Sequence, residues 1–321
     1  MQKPRVVLLC PGQGAQGVGM GQTWMEAHPA SAQTFAAANE IVDLGSLGTL
    51  TDLCFQGPAE TLNRTDVSQP ALFTTAVAAY QGLLDRWGGV DIEAALGLSL
   101  GEYTALHLAG AFDFKVGLQL VATRGRLMQQ AAEASEGGMV ALVGAQEEQA
   151  NEVCDEARGG DVLVPANFNA PGQIVISGSA TACDRAVEVA GRIGLRASRL
   201  AVAGAFHSPL MAPAADGMAQ ALDGVEIRPL DAVVYSNVTG EPHEPENPEL
   251  LKQRLIEQLT SPVRWSEDCS ALAASLADRE PADRPAVHEL APGKVLKGLF
   301  RRIDKTVEVV SHDQPDPTPV D

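Results

Sequence analysis

The sequence predicts an α/β fold in which a parallel sheet forms the core and a smaller subdomain is inserted into the chain. Residues 6–10 and 94–98 are short apolar runs, which is typical of strands buried on both faces of a parallel sheet. Segments with helical spacing separate and follow these runs, as in α/β proteins. From about residue 138 the order changes to β-α-β-β-α-β, which is the order of a ferredoxin-like unit.

The core elements alternate along the first part of the chain and return near its end. Helical spacing predicts helices over residues 30–42, 69–87, 102–108 and 114–130. After the insertion the pattern predicts strands at 233–236 and 286–290 and helices at 250–259 and 294–303. These elements extend the same α/β layer on the far side of the insertion.

The inserted unit has four short strands and two helices. The strands are predicted at 139–143, 162–164, 174–177 and 196–202, and the helices at 147–157 and 181–193. We therefore divide the chain into an α/β core at 1–131 and 205–310 and a ferredoxin-like subdomain at 132–204. The tail at 311–321, rich in proline and aspartate, is predicted to be frayed.

Composition excludes several functions. The 321 residues carry 23 Lys+Arg against 41 Asp+Glu, a net charge of -18, and only 4% are aromatic. Phosphate contacts need clustered cations and base stacking needs aromatic platforms, so we expect no nucleic-acid partner and no anionic membrane surface. The N-terminal apolar run is too short for a signal peptide, and no run approaches the ~20 apolar residues of a membrane span. The prediction is a cytoplasmic protein.

The five cysteines are scattered, odd in number and form no CxxC pair. This pattern argues against a disulfide framework and against a structural zinc site. We predict reduced thiols and no bound metal.

A glycine-rich turn, Gly12-Gln-Gly-Ala-Gln-Gly17, directly follows the first strand and matches GxGxxG. A dinucleotide site would also require a prompt helix and an acidic residue at the end of a second strand about 20 residues on. Glu40 and Asp43 instead end a helical pattern. The sequence favours a tight turn that aims Gln13 and Gln16 outward from the carboxyl end of a strand.

Gly97-Leu-Ser-Leu-Gly101 matches GxSxG, the strand–turn–helix that exposes a nucleophilic serine. An apolar strand precedes it and a helical pattern follows, as this turn requires. Ser99 is therefore the candidate nucleophile, and the backbone N–H of Leu100 would lie near a developing oxyanion at the start of the helix.

A serine hydroxyl needs a base within hydrogen-bond reach. His107 lies two helical turns beyond Ser99 on the same helix, too far to reach it. Four other histidines are assigned elsewhere. His28 and His243 stand beside prolines and are predicted in surface loops, whereas His312 lies in the tail and His288 in a core strand. His207 remains, just beyond the last strand of the insertion. No third triad member is evident, so we predict a dyad oriented by a backbone or amide carbonyl.

Arg124 falls on the apolar stripe of the predicted helix at 114–130, whereas Arg126 falls off it. An inward guanidinium is costly unless a carboxylate or several carbonyls satisfy its donors. Two interpretations follow. Either Arg124 forms an internal ion pair, or its partner arrives with a substrate acyl group that carries a free carboxylate.

Seven motifs in order along nearly the whole chain give a resemblance to the malonyl-CoA:acyl carrier protein transacylases. They are PGQGAQ (11–16), GLSLGEY (97–103), ATRGRLMQ (122–129), NFNAPGQIVISG (167–178), GAFHSPLM (204–211), QLTSPVRW (258–265) and APGKVLKG (291–298). The resemblance implies an α/β-hydrolase-like core with a ferredoxin-like insertion, in agreement with the elements above.

The resemblance also implies a role for each site residue. Ser99 would be acylated, with His207 as general base and acid and Arg124 holding the malonyl carboxylate bidentately. Gln13 and the Leu100 N–H would form the oxyanion hole. Base positioning would fall to Gln258. The implied reaction is ping-pong malonyl transfer from malonyl-CoA to acyl carrier protein for fatty acid biosynthesis, by a monomer without a cofactor or metal.

Two positions depart from the family's commonest pattern, and a third bears on specificity. Leu98 stands where relatives often have histidine before the nucleophile, and Ala291 replaces a glycine in the usual GPG turn. We expect both to leave the chemistry intact. Phe206 resembles malonyl-selective relatives, since its ring beside the acyl pocket would leave little room for an α-methyl group.

Three alternatives stay open at this point. An acyltransferase serving a polyketide synthase would share every motif. A serine hydrolase or thioesterase would share the nucleophile turn but would have no need for an inward Arg124. A dinucleotide-binding module without catalysis would not depend on Ser99.

Overall fold

The computed structural model of the chain describes residues 3–315. Its strands are β1 (Arg5–Cys10), β2 (Asp91–Gly97), β3 (Gly137–Val143), β4 (Leu163–Ala170), β5 (Gln173–Ser179), β6 (Arg196–Arg199), β7 (Val233–Val234), β8 (Ala286–Leu290) and β9 (Val309–His312). They form a five-stranded sheet in the order β7-β2-β1-β8-β9 and a four-stranded sheet in the order β4-β5-β3-β6. The predicted fold class is confirmed.

Helices cover both sheets. They are α1 (Gln22–Ala27), α2 (Pro29–Ile41), α3 (Leu50–Gln56), α4 (Ala59–Leu62), α5 (Thr65–Trp87), α6 (Leu100–Leu108), α7 (Phe114–Glu133), α8 (Glu147–Arg158), α9 (Ala180–Arg192), α10 (Ala212–Asp223), α11 (Pro248–Glu257), α12 (Trp265–Ala277) and α13 (Val295–Ile303). None of those in the described part of the chain is long and apolar enough to cross a membrane.

The larger sheet is parallel throughout, and its central strand is buried on both faces. β1 pairs in parallel with β2 and with β8, and β2 and β8 pair in parallel with β7 and β9. Val6 to Cys10 of β1 are all buried, alternately in two apolar clusters on the opposite faces of the sheet. This two-sided burial explains why β1 is a continuous apolar run.

The smaller sheet is antiparallel and carries α8 and α9 over a separate apolar cluster. Its strand order is the one expected of a β-α-β-β-α-β unit. Backbone hydrogen bonds join it to the core, because Phe168 N donates to Val263 O at 2.9 Å and Val263 N donates to Ala166 O at 2.9 Å. The small subdomain therefore lies beside the carboxyl-end loops of the core sheet.

The prediction of a frayed tail from residue 311 is wrong for its first residues. Ser311 and His312 belong to β9, which pairs with β8 at the sheet edge. Trp24 Nε1 donates to the His312 carbonyl at 3.1 Å, and Ser311 Oγ donates to Glu289 Oε2 at 2.7 Å. These partners are far away in sequence, so the polar composition of the segment gave no sign of them. Residues 316–321 of the predicted tail lie outside the described residues.

Two glycines let α6 approach the ends of β1 and β2. A Cβ on Gly97 would lie 1.8 Å from the carbonyl carbon of Gly101, and a Cβ on Gly101 would lie 2.1 Å from the carbonyl oxygen of Cys10. Both clashes are with backbone atoms, which no rotamer change relieves. The glycines of GxSxG are therefore required for the close packing that places Ser99 at the carboxyl edge of the sheet.

Candidate active site

Ser99 lies between β2 and α6 in a strained conformation, with φ 54° and ψ -103°. A positive φ is uncommon for a residue with a side chain and persists only where surrounding contacts enforce it. Asn237 supplies those contacts, since its Oδ1 accepts from Ser99 N at 2.6 Å and its Nδ2 donates to Gly97 O at 2.8 Å. The turn presents the serine hydroxyl to the cavity next to the small subdomain.

His207 lies within hydrogen-bond distance of that hydroxyl. Its Nε2 is 2.8 Å from Ser99 Oγ, and its Nδ1 is 2.8 Å from the backbone carbonyl oxygen of Gln258. A carbonyl only accepts, so Nδ1 carries the hydrogen and Nε2 is left to accept the serine proton. The group that orients the His207 ring is a backbone carbonyl in place of a carboxylate. Ser99 and His207 are thus arranged as the dyad that the sequence predicts.

Burial and the neighbouring Arg124 lower the pKa of His207 to about 4, although the bond to Gln258 raises it in part. Both effects disfavour the imidazolium. The ring therefore stays neutral, and able to take a proton, over the whole neutral range.

We therefore expect the rate of Ser99 acylation to be flat from about pH 8 to pH 5 and to fall only as pH drops through about 4, instead of near the ordinary 6.5. Unfolded chains take up this proton at higher pH than the folded protein, so the free energy of unfolding also declines as pH falls between these two values. Pre-steady-state acylation after brief pH jumps separates the two effects. A midpoint near 6.5 would contradict the expectation.

Arg124 projects from α7 into the same site and is almost completely buried. Its guanidinium donates to Gln69 Oε1 and Gln258 Oε1, both at 2.8 Å, and to Ser99 Oγ at 3.1 Å. Its Nε has no hydrogen-bond partner among the described residues. Burial lowers its pKa, but within the described residues no carboxylate oxygen lies within ion-pair distance of it. The internal ion pair considered above is therefore not formed, and the site can accept an anionic group beside the nucleophile.

The groups predicted for the oxyanion hole lie at the same edge. Leu100 begins α6, where the first amides have no partner within the helix. The Gln13 side chain is engaged elsewhere, since its Nε2 donates to Thr65 Oγ1 at 3.1 Å. Its backbone N–H, like that of Leu100, has no acceptor within residues 3–315. These two amides are the donors available to a developing oxyanion.

A cavity of about 410 Å³ opens above Ser99, Arg124 and His207, between the core and the small subdomain. Its walls include Leu98 and Phe206, the residue that the resemblance predicts beside the acyl group. The small subdomain contributes apolar and amide side chains, among them Met139, Val175, Asn167, Asn169 and Gln173. The cavity is mostly apolar with few polar groups, which is the usual character of a small-molecule site.

The glycine-rich turn borders this cavity instead of a separate nucleotide site. Gly14 has φ 104° and its N–H donates to the side chain of Gln16 at 2.7 Å. Gln16 in turn donates to Asn63 Oδ1 at 2.9 Å. The turn is thus fixed by its own glutamine and by the segment before α5.

A network of buried polar residues lies behind the site, and its member Glu102 was not singled out by the sequence analysis. Glu102 is fully buried and its Oε1 lies 2.7 Å from His243 Nε2, which places His243 inside the fold. The interpretation of His243 as a surface-loop residue is wrong. Gln258, predicted to help position the base, contacts Glu102, Arg124 and the backbone of Ser99. The described residues contain no cluster of three or more side chains able to hold a metal ion.

Residues 7–288 match the family model described as "Acyl transferase domain". This match covers most of the chain. The chain belongs to the acyl transferase family. The enzyme class implied by the resemblance is thereby confirmed, and this protein is an acyltransferase.

This acyltransferase is similar to proteins named malonyl CoA-acyl carrier protein transacylase. The one from Bacillus subtilis is 38% identical over 314 residues, which is 97% of this chain and 94% of the relative. The human mitochondrial one is 35% identical over 92% of this chain and 76% of the relative. The resemblance carried by the seven motifs is confirmed.

Solved structures agree. A malonyl-CoA:acyl carrier protein transacylase from Xanthomonas oryzae pv. oryzae is 40% identical, with a TM-score of 0.88 over 98% of this chain and 96% of that one. A malonyl-transacylase in complex with its type II PKS acyl-carrier protein is 36% identical, with a TM-score of 0.88 over 97% of this chain and 96% of that one.

Proposed function

We propose that this acyltransferase moves the malonyl group from malonyl-CoA to the phosphopantetheine thiol of acyl carrier protein through a malonyl-Ser99 intermediate. The observation that carries the proposal is Arg124, a buried cation 3.1 Å from the nucleophile that has no acidic partner among residues 3–315. An acyl group with a free carboxylate supplies the missing counter-charge, and a hydrolase of neutral esters has no use for it. The names of the relatives point to the same substrate and partner.

In the first half-reaction, His207 Nε2 takes the proton of Ser99 as Oγ attacks the thioester carbonyl. The amides of Leu100 and Gln13 hold the oxyanion of the tetrahedral intermediate. The C–S bond then breaks, and CoA leaves with the proton that His207 returns. The product is the malonyl ester of Ser99.

The second half-reaction reverses these roles. His207 takes the proton of the carrier-protein thiol, the sulfur attacks the malonyl ester, and Ser99 leaves with that proton. Each half-reaction converts between a thioester and the ester of Ser99, and each needs the same base and the same oxyanion donors. One dyad therefore serves both half-reactions. Arg124 keeps the acyl group in one orientation between the two steps, which favours the incoming thiol over water.

The cavity walls support a preference for malonyl over branched acyl groups. The ring of Phe206, which is almost completely buried, narrows the space beside the acyl site. The small subdomain, which we place at residues 132–204, covers this cavity.

The proposal also includes the predictions that the protein is cytoplasmic, monomeric and free of a cofactor. Fatty acid biosynthesis is its setting, with polyketide assembly as the second candidate because one similar structure holds a type II PKS carrier protein.

The test is intact-protein mass after brief mixing with malonyl-CoA, beside Ser99→Ala. We expect wild type to gain one malonyl group that a carrier-protein thiol then removes, and Ser99→Ala to gain none because it lacks the hydroxyl that lies 2.8 Å from His207 Nε2. Steady release of CoA without carrier protein and without an adduct would instead show a hydrolase. An adduct that persists in Ser99→Ala would contradict the assignment of the nucleophile.

A further inference from the structure

A carboxylate lies fully buried directly behind the site. Glu102, on α6, is three residues beyond the nucleophile and is not exposed at all. Its Oε2 accepts from Gln258 Nε2 at 2.6 Å and from the backbone N of Asn237 at 3.2 Å, and its Oε1 lies 2.7 Å from His243 Nε2. A buried carboxylate needs such donors, because its hydration is lost on folding.

The amide of Gln258 links this carboxylate to Arg124. Its Oε1 accepts from Arg124 Nη2 at 2.8 Å, while its Nε2 donates to Glu102. A primary amide can rotate by about 180° and so exchange the positions of its NH₂ donor and its oxygen acceptor. Glu102 only accepts, so it holds the NH₂ end toward itself and leaves the oxygen for the guanidinium. The orientation of Arg124 is therefore fixed from behind.

A second buried carboxyl group shares this region. Asp268, on α12, accepts from Asn237 Nδ2 at 2.8 Å. Burial, and then the charge of Glu102, raise the pKa of Asp268 well above its ordinary value. Asp268 thus lies close to Glu102, whose own side-chain donors are His243 and Gln258.

We propose that Glu102 and His243 are positioning residues for Arg124: His243 holds the carboxylate of Glu102, Glu102 orients the amide of Gln258, and Gln258 sets the guanidinium that binds the acyl carboxylate. This inference rests on the function proposed above. It assigns to His243, which touches neither the cavity nor the nucleophile, a measurable share of the selectivity for carboxylated acyl groups.

His243→Leu tests the proposal, because leucine fills a similar space but donates no hydrogen bond. We expect kcat/KM for malonyl-CoA to fall about 10-fold, the effect of leaving one buried charged acceptor unpaired. His243→Gln, whose amide can donate from a similar position, should recover most of that loss. Should His243→Leu fail to fold, Glu102→Gln carries the same test, since it keeps the side-chain shape and removes the charge.

A second readout separates positioning of Arg124 from general damage. Phenylmethanesulfonyl fluoride labels an activated serine and has no carboxylate, so its rate reports Ser99 and His207 alone. We expect that rate to change by less than about 3-fold in the His243 variants. His107→Gln is the matched control, a half-buried histidine at the far end of α6 whose Nδ1 bonds to Phe112 O. It should leave both rates unchanged.

Two results would overturn the inference: malonyl transfer unchanged in His243→Leu, or equal losses in malonyl transfer and in labelling. Wild-type enzyme that labels normally but accepts no malonyl group would instead overturn the proposed function. The two failures are therefore distinguishable in one set of measurements.

Discussion

Arg124→Ala should lower kcat/KM for malonyl-CoA by about 10²-fold or more, the usual cost of removing one member of a buried, charge-assisted contact. The guanidinium is the cation that a carboxylate beside Ser99 would meet, and no acidic side chain in the described part of the chain forms an ion pair with it. Acetyl-CoA makes no such contact, so its rate of transfer to Ser99 should hold or rise. Parallel acylation rates with the two thioesters, followed by mass, measure this change in selectivity.

Two variants serve as controls for Arg124. Arg124→Lys keeps the charge but loses the planar pair of donors, so it should bind malonyl groups more weakly than wild type and better than alanine. Arg126→Ala removes an exposed arginine two residues along the same helix and should change neither rate. An equal fall in the rates with both thioesters would mean that Arg124 supports the fold or the dyad and does not select the acyl group.

Local patterns predicted the fold and singled out three residues that the structure brings together at the candidate site. GxSxG located Ser99 because its two glycines meet a local steric requirement, the close approach of α6 to β1 and β2. Helical periodicity singled out Arg124, because between five and six turns of alternating burial define which face of this 20-residue helix is inside. His207 followed by elimination, and the structure places its Nε2 2.8 Å from Ser99 Oγ, although one step of the elimination, the exposure of His243, was wrong.

The supporting residues could not be predicted because nothing local marks them. His243 stands beside Pro242 in a polar segment, which is the usual pattern of a surface loop. It is buried because the chain after β7 folds back on itself, with His243 N donating to Val234 O at 2.8 Å, and so places the ring against α6. Asn237 likewise accepts a hydrogen bond from the backbone of Ser99, which lies 138 positions earlier in the sequence. Only the packing of β7 beside β2 brings these residues together.

His207→Ala should slow the acylation of Ser99 by about 10³-fold or more, within the range expected for loss of a general base that acts in both half-reactions. The ring contributes nothing to the carboxylate contact, so KM for malonyl-CoA should change little while kcat falls. Single-turnover acylation at saturating malonyl-CoA measures the step directly. Ser99→Ala gives the baseline, and His107→Gln controls for the loss of a histidine elsewhere on the core.

No other group near Ser99 can replace this base. Arg124 Nη2 lies 3.1 Å from Oγ, but a guanidinium already holds its protons and can only donate. Gln258 and Asn237 approach the backbone of Ser99, and their amides do not accept protons at neutral pH. The residual rate of His207→Ala should therefore rise with hydroxide concentration and lack the fall near pH 4 expected for wild type. A variant that kept the wild-type pH profile would show that His207 orients the serine and leaves proton transfer to water.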